Sequence, residues 1–479
     1  MGETMYYNLK TYRDESGKVL GYELCEVVKK EDGKYYRTSD KNLKFPQAKV
    51  KATVAKYPDR FCNLKITSDG RLIETGKSSE ESSSSSSNAK GYIGVTPMNW
   101  RDKLVFNVNG NEVMKIDRNF IKWLNEKLGV HSKNFKLRIN SYIPYATLQY
   151  QAQELGKRKS LLVNNDRVVV GVNEAIGEVL VLSSLPVYLE NKGSYHDDGL
   201  FQGVKFKSVE LNTVSMTPNS NCHSMFRKCG IALVTLNSLN ASYIKDFSYM
   251  FEGAICNQVS FFGIDTRSAE HMGSMFSSAT IDKLYLTNLN TSNVKNMDNM
   301  FYKANIGLMD MRGLQTSRCE VFRKMFEGYR SASRELDVST IDTSNAYDAS
   351  EMFKNARVII RGTERLDFGM ANTVDSAFEN TYLQTGDFRN MRLDNARYAN
   401  NLFKGCHIRG GMSLPRVTSG GVTTADKMFY GCDVSGGIDM SNFEITKYMS
   451  HNDFCANMNG KLVCKNFEFE NGRVVKKVQ

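Results

Sequence analysis

The stretch TSNVKNMDNMFYKA, residues 291–304, decides the fold, because its pattern returns along the chain at a fixed interval. Its Phe301 belongs to the series Phe226, Phe251, Phe276, Phe301, Phe326, Phe353, Phe378, Phe403, Phe429 and Phe454, usually with methionine just before it. The steps are 25 residues, except for 27 between Phe326 and Phe353 and 26 between Phe403 and Phe429; Phe201 lies one further step of 25 upstream. Self-similarity at this period marks a solenoid, in which each repeat buries its apolar face against its neighbours. Such a core leaves little room for a catalytic site.

Working outward from the phenylalanine, a modest apolar residue lies seven positions before it (Ile244, Ala269, Val294, Ala346, Ala396, Val422) and another lies four before it (Phe247, Met272, Met297, Phe322). This spacing is one face of a short helix or 3₁₀ turn. Eight, ten and thirteen residues after the phenylalanine come Leu284, Leu286 and Leu289 in one copy, then Met309, Met311 and Leu314 in the next. Leu336, Val338 and Ile341 match once the longer step is allowed. The alternation predicts a short strand with one buried face. Each coil is therefore expected to hold one strand and one helical turn, with the strands of about ten coils stacked as a parallel sheet: an α/β solenoid.

These residues resemble the BspA-type leucine-rich repeats of bacterial surface proteins and some protists. That family's repeat carries an N-x-x-x-M-F segment, matched at Asn296 to Phe301, and an L-D-L-S-x-F-D-T-S-N-V run, matched at Leu336 to Ala346 and at Ile438 to Phe443. The resemblance covers about residues 200–460. It implies a leucine-rich-repeat solenoid serving adhesion or interaction, and names no ligand.

Upstream of the repeats the chain reads as two smaller units. Residues 1–77 are expected to be β-rich, with apolar runs at Val19 to Val28, Tyr35–Tyr36, Leu64 to Ile66 and Leu72–Ile73. Asp32-Gly33 and Asp69-Gly70 between such runs favour hairpins, because both turn residues tolerate positive φ. Residues 78–88 contain six consecutive serines, Ser82 to Ser87, which cannot build a core and read as a linker. Residues 89–199 are expected to be an α+β unit. It holds a hairpin around Asn109-Gly110 and a helix capped by Asp117 and closed by Gly129, with Phe120, Ile121, Leu124 and Leu128 on one face. Further strands are expected near Leu161–Val163, Val168–Val170 and Val179–Leu182. Residues 461–479 are read as a C-terminal capping hairpin.

Composition narrows the partners. The net charge of +11 is spread evenly: +3 over residues 1–88, +4 over 89–199 and +4 over 200–479. A nucleic-acid footprint is normally a concentrated patch, so nucleic acid is the alternative rather than the leading partner. No apolar stretch approaches the roughly 18 residues of a membrane span, and the first residues lack a basic segment followed by an apolar core. The expected location is a virion or the cytoplasm. None of the ten cysteines forms a CxxC pair. Cys229, Cys406 and Cys432 share with Ala254, Ala279, Ala304 and Ala356 the slot three residues after the phenylalanine, so they read as small buried packing residues rather than metal ligands. A triplet at Gly76-Lys77-Ser78 lacks the glycine spacing of a phosphate-binding loop, and no cofactor or catalytic motif stands out.

The candidate binding residues are those that alternate with the buried strand positions and must point outward. They are Asn237, Phe262, Tyr285, Thr287, Asp310, Arg312, Asp337, Asp387 and Arg389, continued by Thr235, Ser260, Ser339, Asp439 and Ser441. Phe262 and Tyr285 are the aromatic anchors among them. The expected function is non-enzymatic macromolecular binding or assembly, with a protein or surface glycan as partner, in host recognition or as a virion-associated component. The alternative is an intracellular nucleic-acid or nucleoprotein-binding factor or inhibitor.

Overall fold

The computed structural model describes residues 104–477 apart from 109–110, 159, 195–197 and 237–238. Before them it describes strands at Met5–Arg13, Val19–Lys29, Tyr35–Arg37, Leu43–Phe45, Leu64–Ile66 and Leu72–Glu74. The chain divides into two compact units, Met1–Gly91 and Tyr92–Gln479. In the first, Val19–Lys29 pairs antiparallel with Tyr35–Arg37, and Leu64–Ile66 with Leu72–Glu74, as hairpins around the two Asp-Gly dipeptides require. The dipeptides themselves and the serine run fall outside the described residues.

In the second unit one hydrophobic core runs from Leu104 to Phe469. The antiparallel pair Val105–Val108 and Asn111–Ile116 leads into the helix Arg118–Leu128. Asp117 accepts a hydrogen bond from the Phe120 N–H, Gly129 closes the helix at φ 54°, and Phe120, Ile121, Leu124 and Leu128 are its buried face. A second helix, Tyr145–Lys157, packs Leu148, Ala152 and Leu155 against the sheet. Lys136–Asn140 pairs parallel with both Glu178–Ser183 and Lys205–Asn212. Residues 104–199 thereby extend the repeat sheet and seal its N-terminal end. That sheet continues through Gly230–Thr235, Ile255–Ser260 and Thr280–Tyr285 to Asn305–Asp310.

The repeats form a parallel β-solenoid of about 11 turns, named here by their phenylalanines. The expected helical turn is absent from them: among the described residues of the repeats the helical content is one 3₁₀ turn, Thr363–Arg365. The reason lies in where the N–H groups go. In the Phe301 coil the N–H groups of Met297, Asn299, Phe301 and Lys303 donate to the carbonyls of Val321, Arg323, Met325 and Glu327 in the next coil, at 2.7–2.9 Å. The N–H groups of Met300, Tyr302 and Ala304 bond three residues back, and that of Asp298 donates to the Asn296 side chain. A helix would need all of these groups for its own i→i−4 bonds. Asn299 and Lys303 also sit at φ 55° and 52°, and the positions two before and two after the phenylalanine repeat this left-handed conformation from coil to coil. Helical residues do not adopt it. The fold is therefore a β-solenoid and not an α/β one.

The phenylalanines stack face to face from Phe201 to Phe429, with centroids 4.9–5.6 Å apart and planes within 19°. The last coil departs from the sequence register. The Phe403 N–H donates to Met428, but the Phe429 N–H donates to Phe454, so Phe454 stands in the methionine position and Cys455 in the phenylalanine position. The ring of Phe454 accordingly meets Phe429 edge-on, at 78°. Beyond it Lys461–Cys464 pairs parallel with Ile438–Met440, then antiparallel with Phe467–Glu470, which pairs in turn with Arg473–Lys477.

Two polar ladders run along the stack. The buried hydroxyls of Thr266, Thr291, Thr316 and Thr343 donate to carbonyls of the following coil at 2.7–2.9 Å. They satisfy groups that would be costly to bury unpaired. On the turn face Lys324, Glu351, Lys354, Glu379 and Lys404 form a continuous ion-pair chain at 2.9–3.4 Å. The eight described cysteines are buried, and desolvation pushes the Cys406 thiol up to about 12, as suits packing residues.

Candidate binding face

The candidate residues divide into a row at the end of each strand and a row two residues later. The ladder register places Thr235, Ser260, Tyr285 and Asp310 side by side. Tyr285 and Asp310 are half-buried there, while Phe262 (63% exposed), Thr287 and Arg312 project from the later row. Asn237, which would continue that row, lies outside the described residues.

Aspartate and arginine two residues apart satisfy each other. Arg312 donates from its backbone N–H and its guanidinium to Asp310, the latter at 2.6 Å, and Arg389 does the same to Asp387. These hydrogen bonds hold both carboxyls below their ordinary range. Alternate strand residues share one side, so an Asp-x-Arg spacing delivers the two charges together. Asp337 instead accepts from the Ser339 N–H at 3.0 Å and faces the Arg361 guanidinium of the next coil at 3.6 Å.

The structure brings four of these residues into one place. Between the Phe301 and Phe326 coils the sheet breaks: Asn305 bridges Arg330, but no ladder pair joins Asn305–Asp310 to Glu335–Asp337. The longer 27-residue step is the cause. Its extra length forms a turn at 331–334, closed by the Arg334 N–H on the Ser331 carbonyl with Arg334 at φ 56°, and this lifts the chain off the stack. A cleft of about 780 Å³ opens at the break, lined by Tyr285, Asp310, Arg312 and Asp337 together with Tyr329 and Arg361. Phe262 and Thr287 stand outside it. Asp387 lines a separate hollow of about 570 Å³ with Asp439 and Lys461.

A second row, at the start of the strands, was not singled out from sequence although it has the same period. It includes Asn305, Arg330, Arg357, Tyr382 and His407, each four residues after its phenylalanine and each exposed. The Arg330 N–H donates to Ala304 and the Arg357 N–H to Tyr329, seating the two arginines in consecutive coils.

The family described as "Mycoplasma protein of unknown function, DUF285" matches residues 220–339, 286–391 and 308–414. All three matches fall in the repeats. No curated protein and no solved structure matches the chain. The family match and the architecture agree on a repeat solenoid, the kind of scaffold that presents a long surface for binding.

Proposed function

We propose that the chain is a non-enzymatic binding or assembly protein whose strand-end row engages a protein or surface glycan, in host recognition or as part of a virion. The observation that carries this reading is a cleft that gathers Tyr285, Asp310, Arg312 and Asp337, with the exposed Phe262 in the coil before Tyr285. A ring lining a shaped hollow, with an exposed ring one coil away, suits an interface anchor. The Asp-Arg pairs around it carry no net charge, so they shape the rim while the aromatics supply the affinity. The likeness of the repeat to the BspA type, whose members serve adhesion, supports the same assignment.

The test compares the parent with the double variant Phe262→Ala/Tyr285→Ala on arrays of cell-surface proteins and glycans. The double variant is expected to bind its partner weaker by about 2 kcal/mol or more, roughly thirtyfold, with its melting temperature little changed. Lys245→Ala/Lys295→Ala, on the turn face, is expected to bind like the parent. Equal binding by the aromatic double variant, or no binding by the parent, rejects the reading.

A further inference from the structure

The 27-residue step opens a second cleft, of about 1030 Å³, at the strand-start side of the same break. It is lined by Lys303, Arg330, Arg334 and Arg357, and Glu327 is the one carboxylate among its lining residues. Among the described residues no carboxylate lies within ion-pair distance of any of these four cations, whereas Glu327 already faces Lys324 at 3.5 Å. Other solenoid arginines divide between pairing with a carboxylate, as Arg267, Arg312, Arg361, Arg389 and Arg392 do, and standing without one among the described residues, as Arg323, Arg365 and Arg397 do. What sets Arg330, Arg334 and Arg357 apart is that they line one cleft together. Lys303 rests over the Tyr302 ring at 4.7 Å and Glu327 is near it, which leaves Arg330, Arg334 and Arg357 as the cations of the cleft without an ion-pair partner. Like charges lining one cleft repel one another, and an anion bound among them relieves that repulsion.

The remaining lining is neutral and suited to hydroxyl groups. Asn305, Asn355 and Asn380 present amides, which both donate and accept, and Asn380 is steadied by a 2.9 Å hydrogen bond to Asn355. Tyr382, 52% exposed, offers one ring to the cleft, with its orientation set by stacking on His407 at 4.9 Å. Single-stranded nucleic acid is gripped by several aromatic platforms in succession, and this cleft has one. Arginine forks match carboxylate and sulfate geometry through paired hydrogen bonds.

We propose that this cleft is a binding site for an anionic polysaccharide, its carboxylate or sulfate groups held by Arg330, Arg334 and Arg357 and its hydroxyls by the asparagines. The site is separate from the strand-end row, so either assignment stands if the other fails.

The full chain is titrated by calorimetry with four hexameric probes: a heparin oligosaccharide, an oligogalacturonate, maltohexaose and a thymidine oligonucleotide. Heparin or oligogalacturonate is expected to bind, and more weakly as salt rises. Maltohexaose should not bind, and the oligonucleotide should bind less tightly than the better anionic sugar. Arg357→Gln alone should weaken sugar binding about tenfold, as for a lost charged hydrogen-bonding partner, and Arg330→Gln/Arg334→Gln/Arg357→Gln should weaken it further. Arg357→Lys should recover part of the loss, and Arg416→Gln, at an exposed residue that lines neither cleft, should bind like the parent. Absence of binding by both anionic sugars, tighter binding of the oligonucleotide, or parent-like binding by both arginine-to-glutamine variants overturns the proposal. The single variant removes one exposed side chain, so it keeps the test decisive even if the triple variant folds poorly.

Discussion

The junction between the Phe276 and Phe301 coils and the junction between the Phe301 and Phe326 coils differ only on one side. At the first, the ladder pairs Thr280 with Asn305 and continues to Tyr285 with Asp310. At the second, only the bridge from Asn305 to Arg330 remains before the sheet opens. The phenylalanine stack ignores the difference, with centroids 5.4 Å apart at the first junction and 5.1 Å at the second. The hydrogen bonds from the Phe301 segment to Met325 and Glu327 also persist. Core continuity and sheet continuity are therefore separable in this solenoid. Two extra residues on the sheet side create two clefts without disturbing what holds the coils together.

The largest expected effect breaks the half of the comparison that does not change. Phe301 is fully buried and stacks on both neighbours. Phe301→Ala should cost about 3–5 kcal/mol, as for other large core truncations, read as a lower denaturation midpoint. Because each coil touches only its neighbours, the loss should loosen the junctions on both sides equally. A variant melting like the parent would show that the stack does not hold the coils.

Reading the repeat from sequence reached the period, the parallel strands and the buried positions, because burial leaves a direct mark on residue type. Leu284, Leu286 and Leu289 are buried as the alternation requires. It missed the turn geometry. Apolar residues at intervals of three and four fit a helix, and they equally fit a tight arc whose N–H groups serve the next coil. The signal that separates the two was present: Gly253, Gly328, Gly405 and Gly431, with Asn355 and Asn380, recur two residues after the phenylalanine. Glycine and asparagine at that period mark a left-handed position, which a helix interior excludes. The register slip at Phe454 was hidden for a different reason: an aromatic residue recurs on schedule, and only the hydrogen-bond partner of Phe429 shows that Cys455 holds the core slot. The strand-start cations carry no such mark in sequence, because their convergence on one cleft depends on where the coil break places neighbouring coils.

The intermediate effect concerns the ion-pair chain that crosses the coils after the break. Burial pushes the Glu379 carboxyl up, but hydrogen bonds from Lys404, Ser376 and Lys354 outweigh it and hold it below its ordinary 4.5. A carboxyl depressed in the folded state contributes stability that is present above 4.5 and is lost as pH falls through the lower folded value. Asp375, raised chiefly by burial, acts in the opposite sense, since its protonation favours the fold. Glu379→Gln isolates the first contribution. Melting temperature followed from about pH 6 to pH 3 should fall less steeply in the variant than in the parent. Parallel curves would show that the chain of charges adds nothing to the cohesion of these coils.

The smallest effect tests whether the strand-end charges are as self-contained as their geometry indicates. Arg312 is an exposed side chain bonded to Asp310 in its own strand and to no other coil. An exposed pair of this kind is worth about 0.2–1 kcal/mol at most, and surface substitutions usually fall within about 0.5 kcal/mol. Arg312→Ala should therefore leave the unfolding midpoint almost unchanged. Arg361 is the informative counterpart, because it reaches back to Glu335 at 3.4 Å and Asp337 at 3.6 Å in the preceding coil. Beside a sheet that has already lost its ladder to the Phe301 coil, that link ties the Phe326 strand to the Phe353 strand. Arg361→Ala should lower the midpoint by more than Arg312→Ala, though still by no more than about 1 kcal/mol. If Arg312→Ala proved the more damaging, the Asp310 pair would be bracing the cleft rather than merely bordering it, and the strand-end row would owe its shape to charge after all.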